Sequence, residues 1–145
     1  MKRGQNKNGF TIVELLIVIV VIGILAAITV VAYNGIQQQA RDSSRTTAIN
    51  GVMKALEMYK IENGAYPSVG SDNAGYALST LSSALVPTYL SSIPTDPRAP
   101  TTNFDYVRGT AASTSYGIRI IYESKTPCHR GVGNTGIGWW GLQAC

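Results

Sequence analysis

A chain of 145 residues holds one domain with at most an appendage, and its charged content of 14% is well below the usual quarter of a soluble domain. Lys2, Arg3 and Lys7 supply most of the net charge of +4, so the remainder is close to neutral, which argues against a nucleic-acid-binding domain built on a basic face. One histidine and two cysteines leave little material for a metal cluster or a dense disulfide scaffold. In chain order, Met1–Gly9 is short, polar and basic. Phe10–Tyr33 then turns abruptly apolar, with no charge from Leu15 to Ala32. As a helix at about 1.5 Å per residue this segment reaches roughly 36 Å, enough to span a bilayer. A lone segment in lipid satisfies its backbone only as a helix. The basic residues before it keep that end cytoplasmic and predict a translocated body.

A secretory signal peptide fits poorly, because its apolar region is shorter and ends in small residues, whereas Ala26 and Ala27 lie inside this run. A plain membrane anchor explains the length and the basic flank but not Glu14. A carboxylate in hydrocarbon costs about 2.5–3.5 kcal/mol or more, which marks Glu14 as a functional candidate. No cation follows it before Arg41, and the nearest positive partner is an α-amino group at Phe10, present only if the chain is cut after Gly9.

Gly9-Phe10-Thr11-Ile12-Val13-Glu14-Leu15-Leu16 resembles the type IV prepilin processing motif: a basic leader ending in Gly, then Phe, then Glu five residues into the mature chain. The likeness runs from Met1 to about Tyr33. It implies cleavage between Gly9 and Phe10 by a membrane prepilin peptidase, which also methylates the Phe10 amine. It further implies residence in the cytoplasmic membrane, then assembly by pilus machinery into a helical filament of identical subunits. In such a filament the apolar helices bundle and Glu14 pairs with the Phe10 amine of a neighbour, a buried pair that sets register more than it adds stability. Many pilins carry a helix-breaking proline where this chain has Val31, while Gly23 remains a loosening point in the first half.

Beyond Tyr33 the chain turns polar but keeps a helical pattern: Ile36, Ala40, Ile49, Val52, Leu56 and Tyr59 form a stripe expected to face the core. Asn63-Gly64 and Pro67 end it, Gly64 suiting a helix C-cap. Residues 68–100 are rich in Ser, Gly, Pro and Thr, with one short helix predicted around Tyr76, Leu78, Leu81 and Leu85. Ala65-Tyr66-Pro67 and the proline-punctuated Val86–Pro97 resemble the region between helix and sheet in major pseudopilins of type II secretion, although Arg98 stands where that family has an aromatic residue. Strands are predicted at Phe104–Arg108 and Ser115–Ser124, the latter with Tyr116, Ile118, Ile120 and Tyr122 on one face and Arg119 and Glu123 on the other. Gly109–Thr114 would be the hairpin loop, and Gly136–Leu142 is a candidate third strand with Trp139 and Trp140 on opposite faces. An antiparallel sheet laid on the helix buries both apolar faces, so the fold class is α+β, in line with the pilin fold. The expected organisation is a leader at 1–9, a transmembrane or filament-core helix at 10–33, an amphipathic helix at 34–64, a connecting region at 65–100, and a sheet with a terminal loop at 101–145.

Export permits a disulfide between Cys128 and Cys145. Two free buried thiols are the alternative, though Cys145 is the last residue and hard to bury otherwise. The glycine-rich segment between them gains about 3 kcal/mol from closure in the chain-entropy description. The pairing resembles the disulfide-bounded C-terminal loop of many type IV pilins, which is commonly exposed on the filament. His129 has no second histidine beside it and reads as a solvated loop residue. The calcium site of major pseudopilins does not carry over, because Glu123 is the only acid after Asp105. No catalytic constellation, metal or cofactor is expected, and DNA binding is not indicated. The sequence therefore reads as a pilin subunit. A pseudopilin of type II secretion or DNA uptake is the alternative, and a membrane-anchored exported enzyme or receptor the distant third.

Overall fold

The computed structural model of the chain describes residues 9–109, 114–133 and 142–145. It divides into two compact units, Met1–Gln37 and Gln38–Cys145. Helix α1, Ile12–Asn63, contributes to both. In the first unit its large apolar side chains, from Ile12 to Val30, are about half exposed or more, as expected of a surface whose partner lies outside the chain.

In the second unit α1 carries the core face. Ile49, Val52, Ala55 and Leu56 are buried, at spacings of three, three and one that keep them on one side of the helix. The helix stops at Asn63 because Gly64 takes φ 77°, a left-handed conformation that costs glycine little, and its N–H returns to the Lys60 carbonyl at 2.8 Å. Ile36, expected on the core stripe, is 63% exposed, and Ala40 is exposed too; the face that meets the head begins after them.

The connecting region supplies a short strand β1, Tyr76–Ala77, then a 3₁₀ turn, Leu78–Leu81, and a single helical turn α2, Ser82–Leu85. Leu78, Leu81 and Leu85 are buried in the core, whereas Tyr76, expected in the same short helix, pairs with β2 as part of β1 instead. Strands β2, Asp105–Arg108, β3, Tyr116–Ile120, and β4, Cys128–Val132, complete an antiparallel sheet in the order β1-β2-β3-β4. Tyr106 pairs with Ile118 and Ile118 with Arg130, which sets the register. Tyr116, Ile118 and Ile120 are buried as the alternation required, and Tyr122 joins them although β3 has ended. They pack on α1 with Tyr66 and Phe104; the Tyr66 and Tyr116 rings lie 4.5 Å apart.

Strand β4 lies where the sequence suggested a loop, so His129 is a half-buried strand residue rather than a solvated one. At Gly131 a Cβ would sit 2.0 Å from the Tyr116 carbonyl oxygen, so only glycine lets β4 approach β3 there. The candidate strand Gly136–Leu142, both tryptophans included, lies outside the described residues except for Leu142, as does most of the Gly109–Thr114 loop. Among the described residues the chain is α+β, a long N-terminal helix with a small four-stranded antiparallel sheet.

Candidate functional site

Gly9, Phe10 and Thr11 precede α1 and are exposed, with Phe10 at 84%. Thr11 stands at the helix N-cap. Its N–H donates to Glu14 Oε2 at 2.8 Å, its hydroxyl donates to the same oxygen at 2.9 Å, and the Glu14 N–H returns to Thr11 Oγ1 at 3.3 Å. This reciprocal arrangement is a capping box, and it satisfies donors that the first helical turn leaves open. The structure thus gives Glu14 a partner inside its own chain, which sequence reasoning missed; Thr-x-x-Glu before an apolar run was the signal. Glu14 Oε1 makes no contact with these donors. One helix among the described residues is long and apolar enough to cross a membrane, and it starts directly behind this cap.

At the other end, Cys128 and Cys145 are bonded, with Cα atoms 5.1 Å apart. The bond pins residues 142–145 beside β4. The His129 N–H donates to the Gln143 carbonyl at 3.2 Å, and the Cys145 N–H donates to the His129 carbonyl at 3.0 Å. The tail therefore runs parallel to β4 and occupies backbone groups of its outer edge.

The second unit also holds a cluster that sequence reasoning did not find. Arg45 on α1 is fully buried. Its Nε and Nη2 donate to Asp96 Oδ2 and Oδ1 at 2.7 and 2.9 Å, and its Nη1 donates to Asp42 at 2.7 Å and to Glu123 at 2.9 Å. Arg41 makes a second two-pronged pair with Glu123, both bonds 2.7 Å. Asp42 also accepts the Ser124 hydroxyl at 2.6 Å and the backbone N–H of Ser124 at 2.9 Å. Asp96 accepts the Thr102 hydroxyl at 2.6 Å and the Arg98 N–H at 2.8 Å. Glu123 thus leaves the outer strand face assigned to it and caps the cluster, since β3 ends at Ile120.

Burial alone would raise the Asp42 carboxyl, but the Ser124 hydroxyl, the Glu123 and Ser124 N–H groups and the Arg45 guanidinium outweigh it and hold the group at about 2. The Arg41 guanidinium leads in holding Glu123 at about 2, with Arg45 adding to it against the cost of burial. Asp96 is also lowered: burial opposes this, and Arg45, Thr102 and the Arg98 N–H prevail. A legible signal existed. The inward stripe Ile49, Val52, Leu56 continues backward by three- and four-residue steps to Arg45 and Asp42, so these charges occupy core positions. Among the described residues no group of His, Cys, Asp and Glu side chains is arranged to hold a metal ion, and the converging carboxylates converge on a guanidinium.

The family model described as the prokaryotic N-terminal methylation motif matches residues 4–30. The type II secretion system core protein G of Vibrio cholerae is 37% identical over 68 residues, covering 47% of this chain and 47% of that protein. The type IV wide pilus major component PilA4 of Thermus thermophilus is 42% identical over 64 residues, covering 44% of this chain and 49% of that protein. The core protein G of Pseudomonas aeruginosa is 41% identical over 68 residues, 47% of each chain. The chain spans about half the length of the curated relatives it matches. No solved structure matches it significantly. The chain runs from a methylation motif straight into an uncovered apolar helix, and over about half of its length it is similar both to a pilus component and to secretion core proteins, a likeness that supports a type IV pilin or pseudopilin.

Proposed function

We propose that the chain is a structural subunit, a pilin, of a type IV pilus and not an enzyme. Prepilin peptidase cuts between Gly9 and Phe10 and methylates the new amine. The subunit waits in the cytoplasmic membrane with its N-terminus inside and its head outside. The assembly machinery then draws it into a helical filament of identical copies on the cell surface. Phe10 and Glu14 carry the assembly contact, the Phe10 ammonium of one subunit meeting the Glu14 carboxylate of another. The observation that carries this reading is the exposed apolar face of α1 behind a methylation motif at residues 4–30. That face is too extensive for a soluble monomer, and lipid or other copies of itself are the partners that fit it. The C-terminal loop closed by Cys128–Cys145 would lie on the filament surface.

Likeness to core protein G favours the second reading, a pseudopilin in a type II secretion machine. Mass spectrometry of sheared surface filaments separates the two. Abundant mature chain beginning at methylated Phe10 supports the pilin. Bare shearings, with the chain confined to the membrane fraction and needed for exoprotein release, would move the assignment to the pseudopilin.

A further inference from the structure

We propose that Arg45 is a register pin: it seats the head at one rotational and axial position on the Gln38–Asn63 segment of α1, acting as a positioning residue for assembly rather than as a source of stability. The seating follows from the geometry alone, and its use in assembly rests on the filament reading above.

From Gln38 to Thr46 the side chains that α1 buries are Asp42 and Arg45; buried apolar side chains begin at Ile49. The two halves of this segment hold the head in different ways. Apolar burial selects a face of the helix, but it has no direction and tolerates sliding. A guanidinium gripping a carboxylate through two parallel bonds accepts a single geometry, and Arg45 grips Asp96 in this way. Slipping the head by one helical turn would carry Arg45 about 5.4 Å from Asp96 and Glu123, beyond any hydrogen bond. The carboxylates come from separate places: Asp42 from α1 itself, Asp96 from the connecting region, Glu123 from the chain after β3. One side chain therefore fixes two chain segments against the helix at once.

Stability does not account for keeping such a cluster, since buried ion pairs are often replaced by apolar residues without loss. Uniqueness does account for it. A helical array repeats one interface through every copy, so each head must sit identically on its helix.

The test uses the full-length chain in detergent micelles and the double variant Arg45→Met/Asp96→Leu, which removes both members of the two-pronged pair. Glu123 keeps Arg41, and Asp42 keeps Ser124. The expected result is a head that stays folded, with unchanged exchange protection in β2 and β3. Amide exchange at Glu123 and Ser124, whose N–H groups bind Asp42 and whose acceptor the variant keeps, becomes about tenfold faster or more. Sheared filament yield falls at least as much while processing continues. If the double variant does not fold, Arg45→Lys keeps the charge but loses the fork, and the same local acceleration is expected. Unchanged exchange at these amides in the folded variant would overturn the pin and assign the seating to the apolar core. Faster exchange with full filament yield would overturn the role in assembly. Failure of the wild-type chain to form filaments would sink the pilin reading, while the exchange measurement still decides the seating.

Discussion

Gly9 is exposed, and a Cβ built on it meets nothing within the chain, so the folded subunit sets no demand for glycine there. The demand would come from the peptidase that the motif implies. Gly9→Val is accordingly expected to leave the protein in the membrane and folded but uncut; mass spectrometry of the membrane fraction should find the leader attached. Glu14 presents the opposite case, a residue held by its own chain. The capping box with Thr11 occupies Oε2, which leaves Oε1 for a partner outside the subunit. Glu14→Ala removes a carboxylate from hydrocarbon, so membrane residence should be eased. Its half of the capping box with Thr11 is lost as well. Steady-state subunit levels should hold while filament yield collapses. Unchanged yield would show that the Phe10–Glu14 pair does not operate.

At the level of elements, the short sheet and its tail are the parts most dependent on covalent help. Strand β4 sits at the edge, carries Gly131 with Gly133 just behind it, and has Cys128 as its side chain in the core. The disulfide holds residues 142–145 against that edge, where they bond His129 from the far side. Replacing both cysteines by serine should lower the stability of the Gln38–Cys145 unit by about 2–5 kcal/mol, read from denaturant unfolding, while membrane insertion through α1 persists. Two readily alkylated thiols in undenatured, unreduced filaments would remove the disulfide from the account. Helix α1 makes the converse point. Its stripe predicted the helix and its core face, yet Ile36 and Ala40 lie outside the packed region, because periodicity reports a face and not how far a neighbour extends along it.

Across the whole molecule, the charge cluster makes folding sensitive to acid and insensitive to pH near neutrality. Asp42 and Glu123 lie at about 2 in the fold, against ordinary values of 3.8 and 4.5. A carboxyl lowered by folding binds its proton more readily in the unfolded chain. Its stabilising contribution is therefore complete above the ordinary value and is lost as pH falls toward the folded one. Melting temperature should be flat above about pH 5 and fall steeply between about pH 4 and pH 2. Glu123→Gln should make that acid limb shallower. A profile with the same slope in the variant, or one that rises toward acid, would contradict the arrangement of Arg41, Arg45 and Glu123.

Local pattern was enough to specify the apolar α1 segment, the methylation motif, the lone carboxylate at Glu14, the core face from Ile49 to Leu56 and the alternation of Tyr116, Ile118 and Ile120, because each is written in neighbouring residues with a period of 3.6 or 2. The capping box was also written locally, in Thr11 and Glu14, and needed only to be looked for. Strand β4 carried no such period: Cys-His-Arg-Gly-Val has no alternation, and its strand character comes from pairing with β3 along an edge that only glycine can approach closely. The Arg45 cluster lay furthest from view. Arg45 is 51 residues from Asp96 and 78 from Glu123. No pattern along the chain states that charges so far apart share one buried site; the tertiary fold decided it by closing the connecting region and the chain after β3 onto the same face of α1, where unpaired ions would not survive burial.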